Sequence, residues 1–517
     1  MTSDNNRRIA KNTMLLYFRM LLIMGVSLFT VRIVLNTLGE VDYGLYNVVG
    51  GLVIMFSFLS NTMAGASQRF FAFELGCNNI TQLKRLFSMT MTIYLMITIV
   101  ILILAETVGL WFLNTQMTIP PNRIVTVNWV YQFTILSFFM TMLTIPYNSV
   151  IIAREQMNVY AYVSILEAFL KMSVAYLLVL FSFDKLKLYS ILMFLVTGLI
   201  TFIYRSYCKR QFEECNYKFY WNKSLFNELI GFSGWNLFGA LASLFNNQGM
   251  NILLNIFFGP VVNAARAIAY QIYNAINQFG TNFYTAVRPQ ITKYYALGET
   301  KQMINLVFKS SKLSYFLLFI LSMPILLEPG FILTAWLKQV PDYVILFTRL
   351  VIIEALINTL SYPFRTAAQA TGRIKIYQSV VGGVMLLALP SAYLLLKSGA
   401  VPQSIFYIAI ASAIICQILR ILLVRNMIQL SATKYIKQVI FPILFISIFS
   451  YIAPLTILFQ LDSGFKRFLI VVLTGLLSSS IIIFYIGLTR SERSYIKLNI
   501  HQVIEKLKRN SSPFLQK

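Results

Sequence analysis

The sequence is poor in charge, above all in acidic residues, and contains a single histidine. Only 12% of the 517 residues are charged, 58% are hydrophobic, and the mean hydropathy is +0.70. A soluble domain is about half apolar and a quarter charged, so the charge that would hydrate a globular surface is missing. Each helical span takes about 20 apolar residues. The composition therefore predicts an all-α integral membrane protein without a soluble catalytic domain.

Thiol, metal and nucleotide motifs are also lacking. Cys77, Cys208, Cys215 and Cys416 are scattered, and His501 lies in the polar tail. This spacing predicts neither a zinc site nor a disulfide framework, and no Gly-x-x-x-x-Gly-Lys-Ser/Thr loop is available for ATP. We expect no metal, no cofactor and no enzymatic activity. No cleavage site follows the opening MTSDNNRRIAKN, which predicts a retained first span rather than a signal peptide.

Apolar runs of bilayer length divide the chain into fourteen spans. They are 13–36, 44–67, 87–112, 124–150, 160–182, 188–208, 228–257, 263–287, 312–336, 344–368, 376–396, 402–424, 438–458 and 468–488. On this map 31 of the 43 lysines and arginines fall on one side of the membrane and 7 on the other. Cytoplasmic loops carry such an excess. Both termini are therefore predicted to be cytoplasmic, and the net charge of +25 indicates orientation and contact with membrane lipids rather than nucleic-acid binding.

An internal repeat organises the spans. The stretch VLNTLGEVDYGLYNVVGG starting at Val34 aligns with LNIFFGPVVNAARAIAYQ starting at Leu254, and both copies turn at a glycine, Gly39 or Gly259. Each copy holds six spans, so both copies enter the membrane from the same side, as in a parallel repeat. The predicted units are a cytoplasmic N-terminus 1–12, an N-lobe 13–210, a linker 211–227, a C-lobe 228–424, two extra C-terminal spans 438–488 and a basic cytoplasmic tail 489–517.

Two six-helix lobes facing each other across a cavity permit alternating access, although a duplicated bundle also suits a channel or a scaffold. The opening NNRRIAKNTMLLYFRMLL, followed by RIVLNTLGEVDYGLYNVVGGLV and SQRFFAFELG, resembles the Wzx-type polysaccharide flippases of the MOP superfamily, which also includes the MATE exporters. The resemblance implies a bacterial inner-membrane flippase for a polyprenyl-diphosphate-linked oligosaccharide of O-antigen or capsule biosynthesis. It also implies that the extra spans lie beside the second lobe. A polysaccharide polymerase is a candidate partner, and we expect a monomer.

Arginines within the spans are the first candidate site residues. Arg19 and Arg32 lie in span one, and Arg266 lies near the start of span eight. Guanidinium groups bind phosphate oxygens through paired hydrogen bonds and remain charged when desolvated. We therefore predict that these arginines bind the diphosphate, with Arg32 and Arg266 at similar depth on facing lobes. The alternative is that they snorkel to nearby headgroups.

Amides and acids complete the candidate set. Spans seven and eight are amide-rich, and we predict that Asn247, Asn251, Gln271 and Asn274 bind sugar hydroxyls, which need both donors and acceptors. Hydrogen bonding between helices is the alternative. Four charged residues are candidates for ion coupling, with interfacial carboxylates or a neutralised i,i+4 pair as the alternative. They are Glu106, Glu167, Lys171 and Glu354.

Two further functions remain open. A MATE-type exporter of cations driven by H⁺ or Na⁺ would be expected to have an acidic residue in the cavity-facing part of span one or seven, and these spans offer only Glu228 at an edge. A polymerase or glycosyltransferase of the same pathway needs large extramembrane loops, which are missing on the predicted external side. The flippase is the leading prediction.

Overall fold

The structure is a computed structural model that describes residues 2–54, 57–115, 117, 119–181, 184–337, 340–490 and 492–494. Every regular element in these ranges is helical, as the composition predicts. Eleven helical segments among the described residues are long and apolar enough to cross a membrane, judged by length and composition.

The N-lobe is formed by seven helices. They are α1 Thr2–Ile54, α2 Ser57–Gly76, α3 Ile80–Leu104, α4 Leu110–Thr115, α5 Ile124–Ala153, α6 Met157–Leu180 and α7 Lys185–Gln211. A π-helical turn at Ala105–Gly109 continues α3 into α4. Helix starts are set by short polar side chains, since Asn79 accepts a hydrogen bond from the Gln82 N–H at 3.0 Å and thereby caps α3.

The C-lobe repeats this arrangement. Its helices are α8 Lys223–Ala296, α9 Thr300–Leu327, α10 Pro329–Leu337, α11 Val344–Thr359, α12 Ser361–Ala370, α13 Ile374–Lys397 and α14 Ser404–Ile428. Asn222 caps α8 by accepting a hydrogen bond from the Leu225 N–H at 2.9 Å. Each lobe has its own cluster of buried apolar side chains.

The longest helix of each lobe turns back at a glycine. Gly39 within α1 has φ 79° and ψ 169°, and Gly259 within α8 has φ 78° and ψ −174°. Side chains disfavour this backbone conformation, which explains why both copies of the repeat have glycine at the turn. The part of α1 after Gly39 forms one further membrane pass together with α2, and the two parts of α8 before and after Gly259 form two more. These three passes are added to the eleven apolar segments. The fourteen predicted spans are thus accounted for, and the amide content of α8 explains why its arms are not among the most apolar.

The two extra spans form a C-terminal pair, which packs against α9 of the C-lobe. Its helices are α15 Ala432–Tyr435, α16 Phe441–Phe449, α17 Ile452–Gln460 and α18 Phe465–Ile482. Glu328 accepts two hydrogen bonds from Arg467, at 2.6 and 3.1 Å, and Lys312 pairs with Glu492 at 3.2 Å. These ion pairs attach the C-terminal pair and the segment after it to the C-lobe, at the end of α9 and near its middle.

Candidate functional site

The two lobes meet at the end of the bundle that holds the N-terminus and the loops at 77–79, 154–156, 297–299 and 371–373, which we call the basic end. Glu155 has a left-handed backbone with φ 61° and a side chain that is only 1% exposed. Its carboxylate forms an ion pair with Arg8 at 2.7 Å and accepts hydrogen bonds from Lys293 and Gln290, both at 2.6 Å. Because Gln290 and Lys293 belong to the C-lobe, this one carboxylate joins both lobes.

Two arginines cross between the lobes beside Glu155. Arg69 of α2 donates to the Gln369 carbonyl at 3.1 Å, and its side chain is buried. In the reverse direction, Arg288 of α8 donates to the Gly65 carbonyl at 2.5 Å and to the Gln68 side chain at 3.1 Å. The approach is close, since a Cβ on Gly65 would lie 3.0 Å from the guanidinium. We call Glu155, Arg69 and Arg288 with their partners the seal.

An aromatic contact extends the seal toward the middle of the bundle. Tyr17 donates to the Phe279 carbonyl at 3.1 Å, and the two ring centroids lie 5.6 Å apart. These hydrogen bonds and ion pairs between the lobes lie in this half of the bundle. The lobes are therefore closed against each other at the basic end.

A cavity of about 460 Å³ opens inside the N-lobe among α1, α5, α6 and α7, and we call it the N-lobe cavity. The Arg19 guanidinium lies over the Tyr160 ring, 4.3 Å from its centroid, and donates to the Tyr160 hydroxyl at 3.3 Å. Its Nε is buried and makes no hydrogen bond within the described residues. Hydroxyl groups dominate the polar lining, which includes Ser27, Thr30, Thr141, Thr144, Ser164, Thr197 and Thr201.

Glu167 and Lys171 line the same cavity. Their charged atoms are 2.6 Å apart in an i,i+4 pair, with side chains 36% and 38% exposed. The pair neutralises itself, and Arg19 leaves the N-lobe cavity with one positive charge in excess. Such a cavity is suited to an anionic group accompanied by hydroxyls.

The matching C-lobe cavity lies among α8, α11, α13 and α14 and has a volume of about 130 Å³. Arg266 is 6% exposed and donates to Asn251 Oδ1 at 3.1 Å and to Asn247 Oδ1 at 2.7 Å. Its guanidinium lies 4.2 Å from the centroid of the Tyr270 ring. The predicted residues Asn247 and Asn251 are thus brought to Arg266 and accept its hydrogen bonds.

Glu354 lines the C-lobe cavity on the other side of Tyr270. Its carboxylate accepts from the Tyr270 hydroxyl at 3.4 Å and from the Asn358 amide at 3.3 Å. The Arg266 cation and the Glu354 anion therefore share this cavity. Polar neighbours accept hydrogen bonds from Arg266 and donate hydrogen bonds to Glu354. The arrangement is a nearly satisfied network rather than a vacant anion site.

The remaining predicted residues lie outside both cavities. Arg32 is exposed, and on an ideal helix it shares a face with the exposed apolar residues Phe18 and Leu21, a pattern typical of a lipid-facing surface. Gln271 and Asn274 are exposed on one face of the second arm of α8. The fourth residue, Glu106, is exposed in the π-helical turn and accepts from the Gln132 amide at 3.0 Å.

Sequence reasoning missed the seal. It assigned Arg69, Arg288 and Lys293 to the basic loops that set orientation, and it gave Glu155 no role. A signal was present, because SQRFF and VRPQITK follow the second span of the two copies at matching places. An arginine at the corresponding place of both copies indicates that this residue takes part in the contact between the two lobes.

Comparisons with solved structures agree with this architecture. An outward-facing multidrug resistance MATE family transporter of the MOP superfamily matches with TM-score 0.69 and 11% identity, over 81% of this chain and 96% of that chain. The Vibrio cholerae MATE transporter VcmN in the bent form matches with TM-score 0.66 and 16% identity, over 83% and 98%. The MATE transporter ClbM in complex with Rb⁺ matches with TM-score 0.67 and 15% identity, over 83% and 96%.

No protein-family model and no curated protein matches the sequence. The solved neighbours are covered almost completely, whereas nearly a fifth of this chain lies outside each match. The C-terminal pair and the residues that follow it make up a share of the chain of similar size. At this level of identity the likeness concerns the fold, and the chain has the fold of the MATE transporters.

Proposed function

We propose that this protein is a flippase that moves a polyprenyl-diphosphate-linked oligosaccharide across the membrane by alternating access. A lipid with a diphosphate head needs a cavity that is positively charged, lined by hydrogen-bonding groups and large enough for sugar residues. Such lipids carry the building blocks of surface polysaccharides such as O-antigen and capsule. The proposal includes a bacterial inner membrane, cytoplasmic termini, a monomer and a downstream polysaccharide polymerase.

One observation carries the proposal. In the N-lobe cavity the Arg19 guanidinium has a buried Nε without a partner, next to a set of serine and threonine hydroxyls. An unpaired donor on a charged group is unfavourable in a site of low dielectric constant. A phosphate oxygen would satisfy it, and the hydroxyls would bind the first sugar.

The seal supports the transport step. Alternating access requires contacts that hold the lobes together at one end and that can break as a unit. Glu155, Arg69 and Arg288 place charged hydrogen bonds between the lobes at the basic end. Their release would open the cavities to the predicted cytoplasmic side, from which the lipid-linked substrate enters.

The exposed amides extend the proposal. Gln271 and Asn274 occupy one face of the second arm of α8, and amides can donate to and accept from sugar hydroxyls. We assign them to the oligosaccharide rather than to the diphosphate. Arg266 contributes positive potential from the C-lobe, and Arg32 binds a lipid headgroup or the diphosphate near the end of α1's first arm.

Cation export is the second candidate, and Glu354 is the observation that favours it. A carboxylate in a C-lobe cavity can bind H⁺ or Na⁺, and the solved neighbours include a MATE transporter in complex with Rb⁺. Arg266 across Tyr270 weakens this candidate because it already supplies the positive charge near Glu354. The other predicted coupling residues are either exposed, as Glu106 is, or paired with each other, as Glu167 and Lys171 are.

The test is a flipping assay with the full-length protein in liposomes. The probe is a polyprenyl-diphosphate disaccharide with a fluorophore on the sugar, and its arrival in the outer leaflet is followed by chemical quenching. Loss of a charge-assisted hydrogen bond is worth about 1.5–3 kcal/mol. Arg19→Ala should therefore slow flipping by about tenfold or more, with smaller losses for Arg266→Ala and Arg32→Ala.

Two controls make the result specific. Lys397→Ala removes an exposed cation at the opposite end of the bundle and should leave the rate unchanged. Arg19→Lys keeps the charge without the planar fork and should give an intermediate rate. A wild-type rate in Arg19→Ala would refute the diphosphate role. Transport of ethidium instead of the lipid by the wild-type protein would replace the proposal with cation export.

A further inference from the structure

A second guanidinium with unpaired donors lies deep in the C-lobe, one helical turn from Cys416, which lines the C-lobe cavity. Arg420 of α14 is 7% exposed, and its Nε and Nη1 are buried without a hydrogen-bond partner among the described residues. Gln417, three residues earlier on the same helix face, is 6% exposed and has both side-chain polar atoms unpaired. Several unpaired polar atoms at one buried place call for a bound species.

The neighbouring helix adds a further donor at the same level. Cys416 of α14 contacts the Val381 carbonyl of α13 at 3.8 Å. Arg420 and Tyr377 each lie one turn beyond this contact, toward the basic end, because the two helices run in opposite directions. Tyr377 is 2% exposed, and its hydroxyl lies beside the Arg420 guanidinium, with which it interacts.

The charge of Arg420 is not balanced by a carboxylate of the described residues. Arg420 takes part in none of their ion pairs. In the C-lobe, Glu354 is bound to Tyr270 and Glu328 to Arg467. Arg365 also interacts with Tyr377, and it is positive as well.

A buried cation without a counter-charge is strongly unfavourable, and guanidinium does not lose its proton. We propose that a small inorganic anion of the halide class, with chloride as the physiological example, binds among Arg420, Gln417 and Tyr377. The guanidinium, the Gln417 amide and the phenol can each supply an N–H or O–H donor to such an anion. This site is separate from the substrate cavities, so it stands whether or not the proposed function is correct.

Thermal unfolding of the purified full-length protein tests the proposal. A ligand that binds only the folded state raises the Tm in proportion to the logarithm of its concentration above its Kd. The Tm should rise by about 2 °C when sodium gluconate is replaced by sodium chloride at constant ionic strength. Arg420→Gln should abolish this difference. Arg425→Gln, which removes an exposed arginine of the same helix, should retain it.

A crystallographic measurement on the wild-type protein does not depend on the folding of a variant. Crystals grown in sodium bromide should show an anomalous peak within hydrogen-bond distance of Arg420. Equal Tm in chloride and gluconate, or a bromide peak absent from this place, would overturn the proposal. An increase in Tm with inorganic phosphate but not with chloride would overturn the halide class, and a chloride effect retained in Arg420→Gln would move the site elsewhere.

Discussion

The two cavities occupy corresponding places in the two lobes, yet their arginines differ in how completely they are hydrogen-bonded. In the N-lobe cavity, Arg19 lies on Tyr160 and keeps a buried, unpaired Nε. In the C-lobe cavity, Arg266 lies on Tyr270 and donates to Asn247 and Asn251. The first guanidinium keeps an unsatisfied donor, whereas the second is already satisfied by its own lobe.

This difference shows that a duplicated fold can divide tasks between its copies. The smaller C-lobe cavity contains Arg266 and Glu354 in one polar network, which favours a rigid lobe. The larger N-lobe cavity has a cationic surplus, and its hydroxyls donate to carbonyls of their own helices while their oxygens can still accept from a ligand, which favours binding. Arg19 lies on the first arm of its helix and Arg266 on the second arm of its helix, and only Arg19 keeps an unsatisfied donor.

The largest effect that would sharpen this comparison concerns stability. Arg266→Ala leaves Glu354 without a nearby positive charge and Asn247 and Asn251 without their donor. Removing one partner from such a buried network destabilises a protein by about 3 kcal/mol. Arg19→Ala removes only the contacts with Tyr160 and should lower stability by less than about 1 kcal/mol.

Thermal unfolding of the two purified variants in the same lipid–detergent mixture measures the contrast. Addition of Glu354→Gln to Arg266→Ala removes the orphaned charge and should recover part of the loss. An equal loss in Arg19→Ala and Arg266→Ala would show that both cavities are structural and would break the comparison.

The seal supplies the next prediction, because opening it should expose the N-lobe cavity. Glu155→Gln removes the ionic partner of Arg8 and Lys293 and weakens the contact between the lobes. A loss of about 1.5 kcal/mol shifts an equilibrium by about tenfold. A single cysteine at Ser27, which lines the N-lobe cavity, should therefore react about tenfold faster with a maleimide added at the basic end.

The matched control is Glu213→Gln, which removes an exposed carboxylate paired with Lys84 at 2.8 Å. This pair lies within the N-lobe side of the basic end, and the pKa of Glu213 is lowered by its hydrogen bond with Lys84. Its loss should not change the labelling rate. Equal rates in all three proteins would mean that Glu155 does not hold the lobes together.

The fold was predictable because it follows from local patterns. Apolar runs indicate spans, and the glycines at the turns, Gly39 and Gly259, indicate the repeat. The site was predictable only in part. The contacts of Arg266 with Asn247 and Asn251 join the two arms of one helical hairpin, so they are close in sequence. The contacts of Arg69 with Gln369 and of Glu155 with Lys293 join residues far apart in sequence. No periodicity encodes such contacts, which depend on how the lobes pack.

Substitution of the turn glycines tests whether the two lobes respond equally at a place that lies outside both cavities. Gly39→Ala and Gly259→Ala each force a side chain into a backbone with φ near 79° and 78°. A Cβ would meet no neighbour at either place, so the cost is backbone strain of about 1 kcal/mol in both. Thermal unfolding should show equal losses, whereas unequal losses would mean that one turn has contacts or strain that the other lacks.

The smallest predicted effect concerns the ion pair of the N-lobe cavity. Glu167 and Lys171 are 2.6 Å apart, but both side chains are more than a third exposed. Solvent screening reduces such a pair to about 0.5 kcal/mol, in contrast to the buried network around Arg266. A double-mutant cycle with Glu167→Gln and Lys171→Met, read out by thermal unfolding, should give a coupling of that size. A coupling several times larger would place the pair in a dry, structural environment, and the N-lobe cavity would then resemble the C-lobe cavity after all.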